Sequence, residues 1–351
     1  LYFRRDKAVF LAAGIATGAA LIATLVCMMV HFSTGDPVKA KLIADCFRNR
    51  KNVALLNCTA DADHNRCVVT AAGAPQEIRS ALIDSARVAA EEIDLNAHRG
   101  VHPRIGALDV LPVVPLEETP ESVADELVRQ VGQDLFDKLG LPVYFYEKSA
   151  SAPFRRNLAD VRRGGFEGLA KKTSEPLWRF DIGEKPHPTA GAVAVGVRKI
   201  LVAFNMFLKE GTPLNVAVRV AERVRFSGGG LKCVKALGLF LERENRAQVS
   251  MNLTDFTCTR VHTVAELVKA ELKPFGAEAE RGELIGLAPY AAIYDAAEYL
   301  LMCQGAGAEQ CRTLSVEDVL DAAGRELFLE LERGQILDFA LSDTFGREIK
   351  I

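Results

Sequence analysis

The feature that most constrains this chain is a run of 22 residues without a charge, Val9 to Val30, with Arg4, Arg5 and Lys7 just before it. A helix needs about 20 apolar residues to cross a bilayer, so the run is long enough. Gly14 and Gly18 form a G-x-x-x-G spacing, at which helices approach closely. A basic start followed by small apolar residues is also the pattern of a targeting segment. If Thr24 to Phe32 is instead a strand, only about 16 apolar residues remain, short of a span. The reading adopted is a helix from Val9 to about Thr24 that anchors the chain to a membrane or to a membrane-embedded partner. Its basic residues would then face anionic headgroups on the cytoplasmic or matrix side. That makes the expected location membrane-associated, with the mitochondrion as one compartment.

The rest of the chain is of ordinary globular character. It is 49% apolar and 25% charged, which excludes a disordered chain, a collagen and a coiled coil. With 43 basic and 46 acidic residues there is no basic excess to suit nucleic acid. The eight Cys contain no C-x-x-C pair, and their scatter suits reduced thiols in a reducing compartment. No ligand cluster has zinc-like spacing, so no metal is expected.

After His31 strands and helices alternate. Asn52–Cys58, Asn65–Thr70, Gly106–Val114 and Leu141–Tyr146 read as strands. Lys39–Arg48 and Pro75–Leu95 read as helices, and so does Pro120–Leu139, which Thr119 would cap and Gly140 would end. A polar, Gly- and Pro-rich stretch, Glu147–Pro188, interrupts the pattern. Ala192–Phe204 then enters a strand, followed by a helix at Leu214–Val224 and strands at Cys233–Arg243 and Ala247–Thr254. A helix at Thr263–Leu272, a strand at Glu283–Gly286, a helix at Ala291–Leu301 and a helical tail at Ser315–Asp343 complete the chain. The expected fold is α/β (α+β), with two ferredoxin-like subdomains facing a cleft and an N-terminal apolar helix. The expected units are 1–24 (anchor), 25–182, 183–303 and a tail, 304–351.

Four strings carry chemistry. Asp61-Ala62-Asp63-His64-Asn65-Arg66 puts two carboxylates, an imidazole, an amide and a guanidinium into one strand connection, costly to bury unless paired. It also reads as a polar Asx turn. His102-Pro103-Arg104-Ile105-Gly106-Ala107-Leu108-Asp109-Val110 fixes an imidazole before a proline, beside small residues that leave room for a ligand. The third string runs from Gly183 to Gly191 (Glu184, Lys185, Pro186, His187, Pro188, Thr189 and Ala190 between) and on to Arg198. Its small residues let a flat ligand lie against the backbone, or mark a flexible linker; its spacing is not that of a nucleotide loop. Finally, Gln248, Ser250, Asn252 and Thr254 alternate along one strand face, four neutral hydrogen-bonding groups that suit a pterin or amide.

At this point the chain resembles a known family. HPRIGALDV (102–110), NLADVRRGGFEGL (157–169), HPTAGAVAVGVRK (187–199), LVAFN (201–205), AQVSMNLTDF (247–256) and ELIGLAP (283–289) resemble glutamate formimidoyltransferase. That is the transferase half of formimidoyltransferase–cyclodeaminase, here without the cyclodeaminase half. The resemblance implies one-carbon transfer in histidine catabolism, of a formimidoyl (or formyl) group between N-formimidoyl-L-glutamate and tetrahydrofolate, by two α/β subdomains, usually dimerised. It implies His102 as catalytic acid/base and tetrahydrofolate as co-substrate. Gly183–Gly191, with Gln248, Ser250 and Asn252, would hold the folate. Asp61, Asp63, Asn65, Arg66, Arg104 and Arg198 would hold the substrate, with Asp61 placed to bond the cationic N–H of the formimidoyl group. Departures stand at His31, Thr34 and Asn57, where the family has Asn, Glu and an acid. They leave a second expectation, a catalytically degenerate member serving as a subunit of a membrane-associated complex.

Overall fold

The structure is a computed structural model that describes residues 24–100, 102–117 and 119–349. The expected N-terminal anchor, apart from Thr24, lies outside the described residues. The described end of the charge-free run is a strand, β1 (Leu25–Phe32). The run is therefore not a single 22-residue element. Val26, Met28, Val30 and Phe32 pack into the helix-covered core, whereas Leu25, Cys27 and Met29 join an apolar cluster on the opposite face. A strand buried on both faces reads as continuous apolar sequence, and so resembles a membrane span. Among the described residues no helix is long and apolar enough to cross a membrane.

The first half continues with α1 (Pro37–Asp45), β2 (Val53–Asp61), β3 (Arg66–Gly73), α2 (Pro75–Glu92) and β4 (Leu108–Leu116). The strands run antiparallel in the order β2-β3-β1-β4, which with the two helices is a β-α-β-β-α-β ferredoxin-like unit. Next come α3 (Glu121–Leu139), β5 (Val143–Phe145), α4 (Leu158–Arg162), α5 (Gly165–Thr173) and β6 (Val193–Val197). β6 pairs parallel with β4 and β5 and widens this sheet to six strands.

A second unit repeats the connectivity: β7 (Val202–Leu208), α6 (Leu214–Val224), β8 (Val234–Leu241), β9 (Arg246–Leu253), α7 (Val261–Leu272) and β10 (Ala279–Ile285). Its sheet order is β10-β7-β9-β8, again antiparallel. The expected single strand over 192–204 is thus divided between the two sheets. Arg198 to Leu201 carries the chain across, and segment 183–198 completes the first sheet.

Four helices follow: α8 (Tyr290–Cys303), α9 (Ala308–Arg312), α10 (Val316–Leu327) and α11 (Leu337–Phe345). The expected helical tail, Ser315–Asp343, is two helices, the first ended at Phe328, a left-handed residue with φ 57°. Leu337 and Leu341 of α11, with Ile349, cover Leu25, Cys27 and Met29. Thr119 does not cap α3, whose cap position is Pro120. Its hydroxyl instead accepts from Leu25 N (2.9 Å) and donates to Leu25 O (3.0 Å), fixing the start of β1.

Candidate active site between the two sheets

The side-chain period of two puts His31 on the face of β1 that carries Cys27 and Met29, turned toward the second unit. Beside it the β2–β3 turn folds tightly. Asn65 adopts φ 47°, its Oδ1 accepts from Gly35 N (2.7 Å), and its Nδ2 donates to Arg99 O (2.7 Å). A Cβ on Gly35 would lie 2.3 Å from Asp61 O, so only glycine lets the two segments meet. Asp61 turns back on the same loop. Its Oδ1 accepts from His64 N (2.8 Å) and its Oδ2 lies 2.9 Å from His64 Nδ1. Burial opposes ionisation of Asp61, yet the His64 bonds and the nearby Arg66 hold its carboxyl at about 2. His64 is buried, and its Nε2 has no hydrogen-bond partner.

The His102 string and the Gly183–Gly191 string, far apart in sequence, are stitched together. Ala107 N donates to Ala190 O (2.9 Å), Ala192 N to Ile105 O (2.9 Å) and Leu95 N to Thr189 O (2.9 Å). His187 caps its own turn, with Nδ1 accepting from Ala190 N at 3.0 Å. His102 is half-buried; its Nδ1 lies 2.9 Å from Pro103 O. A carbonyl only accepts, so Nδ1 carries the hydrogen and Nε2 keeps its lone pair. The rings of His102 and His64 lie 6.3 Å apart.

Cations surround this imidazole. Burial first, then Arg66, Arg162, His31 and His64, push His102 well below the usual histidine range. It is neutral at physiological pH. His31 is lowered in the same way, by burial and then by Arg66, Arg162 and Arg198. Arg162 is paired with the buried carboxylate of Asp109, whose other oxygen accepts from Ile105 N (2.8 Å). Burial lowers Arg66 to about 10, so it stays protonated.

The second sheet presents its polar face here. Gln248, Ser250 and Asn252 lie on one side of β9, opposite the buried Ala247, Val249 and Met251, as the alternation predicts. Glu283 accepts from Asn205 Nδ2 (2.9 Å) and Gln248 Nε2 (3.3 Å), and its charge reaches Arg66. Asp63 meets Arg243 of the β8–β9 turn at 3.8 Å, and Lys235 Nζ donates to Asn157 Oδ1 at 2.8 Å. His31 Nδ1, His64 Nε2, Thr70 Oγ1 and Gln248 Oε1 are buried without partners. Such atoms are rare in folded proteins, and these four lie where the two sheets face each other.

A cavity of about 640 Å³ lies alongside, within the range of small-molecule sites. Arg99, Arg104 and His98 form one wall; Pro186, His187 and Pro188 form another. His98 and Arg104 separate it from a space of about 10 Å³ among His31, His64, His102 and Arg162. Arg104 is committed: it donates to Glu167 (2.7 and 3.0 Å) and through Nε to His98 Nδ1 (3.0 Å).

Of the residues expected from the sequence, His102, Asp61, Asn65, Arg66 and Arg104 converge on or around the imidazole cluster. Arg198 lies on the same inter-sheet face, its charge reaching His31, and donates through Nη1 to Lys199 O (2.9 Å). Pro186 to Pro188 line the cavity, whereas Glu184 and Lys185 are exposed and Gly183 packs against Phe136. Asn57 sits mid-β2, accepting from Thr59 Oγ1 (2.8 Å), and Thr34 Oγ1 accepts from Asp36 N (3.2 Å). Site residues that escaped assignment from the sequence include His64, Arg162, Asn205 and Glu283. The only signal for His64 was its place in the 61–66 string. The other three come from strings quoted for the resemblance but carry no local pattern of their own. Among the described residues no group of His, Cys, Asp or Glu is arranged to hold a metal ion.

The family model for the N-terminal subdomain of the formiminotransferase domain matches residues 25–198, and the model for the formiminotransferase domain matches residues 203–318. A glutamate formimidoyltransferase of Streptococcus pyogenes serotype M1 is 43% identical over 253 residues, covering 72% of this chain and 84% of that protein. One from Thermoplasma acidophilum is 36% identical over 285 residues, covering 80% and 94%. The formimidoyltransferase-cyclodeaminase of Gallus gallus is 38% identical over 254 residues, covering 70% of this chain and 47% of that protein.

Proposed function

The chain belongs to the formiminotransferase family, and from that premise we infer that it transfers a formimidoyl group between N-formimidoyl-L-glutamate and tetrahydrofolate. It is a one-carbon transferase, and tetrahydrofolate is the family's co-substrate. The single observation that carries the reading is the union of two strings, His102–Val110 and Gly183–Gly191, across backbone hydrogen bonds beside a cavity of about 640 Å³.

The proposed chemistry follows from the residues. An amine of the reduced folate attacks the electrophilic formimidoyl carbon and must lose a proton. His102 Nε2 is the acceptor, available because burial and the Arg66 and Arg162 charges keep the ring neutral. The same cations, with Arg198 and Lys235, suit the carboxylates of a glutamate-derived substrate. Asp61 spends both oxygens on His64, so its part runs through that ring rather than through a direct bond to substrate. Pro186–Pro188 would lie along the folate, and Gln248, Ser250 and Asn252 would supply hydrogen bonds from the second sheet.

No observation favours the degenerate, membrane-complex reading, and it is not carried further. Placing residues 9–24 at a membrane rests on the charge-free run alone; fractionation of the full chain tests it. A homodimer rests on the resemblance, and light scattering tests it.

Purified protein given N-formimidoyl-L-glutamate and tetrahydrofolate should release glutamate and form the formimidoyl folate. A rate no higher than that of His102→Ala would overturn the assignment.

A further inference from the structure

One group in the site has no role in the chemistry above. His64 is 1% exposed, yet its Nε2 meets no partner, while its Nδ1 is fixed 2.9 Å from Asp61 Oδ2. Two bonds from one loop, to the ring and to the backbone N–H, hold the carboxylate and imidazole in a single orientation. A carboxylate on Nδ1 sets the tautomer and stabilises the imidazolium through a charge-assisted bond, the arrangement of a proton-handling pair. The neighbouring His98, by contrast, spends both nitrogens on partners, with Nε2 at 2.9 Å from Asn65 O and Nδ1 at 3.0 Å from Arg104 Nε.

We propose that His64, held by Asp61, is a second acid–base group of the transfer, working opposite His102. The inference rests on the transferase reading and adds a proton donor to it. In the direction toward tetrahydrofolate, the attacking amine forms a C–N bond to the carbon of the protonated formimidoyl group as the C=N π pair moves onto the terminal nitrogen, and the amine gives its proton to His102 Nε2. The π bond then re-forms as the C–N bond to the glutamate nitrogen breaks. Its electron pair stays on that nitrogen, which takes a proton from His64 Nε2. Solvent resets both rings. The two ring centres lie 6.3 Å apart and border the same space of about 10 Å³, which the substrate must widen to bring its reacting carbon between them. Their surroundings divide the roles. His102 faces Arg66 and Arg162 with no carboxylate bonded to it, which favours the neutral ring; the His64 ring is hydrogen-bonded to Asp61 through Nδ1 and presents Nε2.

The charged and titratable groups around His64 come from several elements. Asp61 and Asp63 belong to its own turn, Arg66 to β3 and His31 to β1. Asp109 of β4 is neutralised by Arg162 of α4, and Arg104 by Glu167. Arg243 of the second sheet answers Asp63. The carboxylate bonded to the ring is therefore the one whose removal must be felt.

The test is the dependence of kcat on the leaving amine. With N-formimidoyl-L-glutamate, whose nitrogen must gain a proton to leave, His64→Gln should lower kcat by roughly 10²-fold with KM little changed. With a formimidoyl donor whose nitrogen is a far weaker base and leaves without that proton, the variant and wild type should react at similar rates. Asp61→Asn should show the same dependence in weaker form. A His64→Gln enzyme slowed equally with both donors, or slowed with neither, overturns the proposal. Should neither variant fold, wild-type protein decides: its kcat should show a solvent deuterium isotope effect with the first donor that shrinks with the second, and equal effects overturn the proposal. An inactive wild type would remove the transferase reading and this one together, whereas an active wild type with an unaltered His64→Gln rate removes this one alone.

Discussion

Gly106 pairs with Gly191 across an antiparallel bridge, and neither position has room for a side chain. A Cβ on Gly106 would lie 2.1 Å from Ala192 O, and one on Gly191 would lie 2.0 Å from Ile105 O. This bridge is where the imidazole string meets the segment expected to hold folate. Gly191 also has φ +69°, a conformation that costs an L-residue further. Gly191→Ala should therefore destabilise the protein by about 2–3 kcal/mol. Because the displaced backbone carries both strings, activity should fall as well. Urea unfolding and kcat/KM check the two effects; a variant as stable as wild type would show that the bridge yields easily.

His102→Gln tests the base directly. The substitution keeps a polar side chain of similar length on a half-buried site, so the fold should survive. Removing a positioned proton acceptor should lower kcat by roughly 10²–10⁴. Calorimetric binding of tetrahydrofolate should persist, since the cavity walls are other residues. A kcat within tenfold of wild type would assign the proton to another group.

Much of this architecture is legible in the residues, for identifiable reasons. The helix at Leu214–Val224 and the polar face of β9 follow from strict apolar spacing, and both lie where the spacing puts them. β1 is the opposite case. Buried on both faces, it lacks alternation, and its apolar run merges with the residues before it. Phe328 stops the tail helix in a left-handed conformation that its side chain does not advertise. In the site, His102 stands out because a proline follows it and small residues adjoin it. Arg162 and Glu283 do not, because their roles arise only when the two sheets bring them beside Asp109 and Arg66.

The Arg162–Asp109 pair should be needed for stability as much as for charge. Both side chains are largely buried, and Asp109 is also the acceptor for Ile105 N in the His102 string. Arg162→Met leaves a buried carboxylate unpaired, at a cost of about 3–5 kcal/mol. Arg162→Met with Asp109→Asn should cost less than the sum of the two single changes, because the orphaned charge is gone. Denaturant unfolding of the four proteins completes the cycle, and simple additivity would refute the coupling.

Acid should destabilise the protein in two stages. His102 and His31 are held well below the usual histidine range by burial, with Arg66 and Arg162 adding to it, and burial holds His262 at about 4. Below about 6.5 the unfolded chain binds protons that these rings refuse in the folded state. Unfolding then takes up protons, so stability falls as pH drops from about 6.5 toward the lower folded values. Each such ring removes about 1.4 kcal/mol per pH unit across its window. The carboxylate stage comes later. Asp61, at about 2 when folded, contributes stability above about 3.9 that is lost as pH falls toward 2. Urea unfolding between pH 7 and 4.5 should show a steady decline, with proton uptake on unfolding at pH 5 of more than one equivalent. A flat stability over that window would mean that these imidazoles are solvated rather than enclosed between the sheets. His262→Gln, away from the site, should remove its own share of the slope while leaving the kcat/KM profile in place.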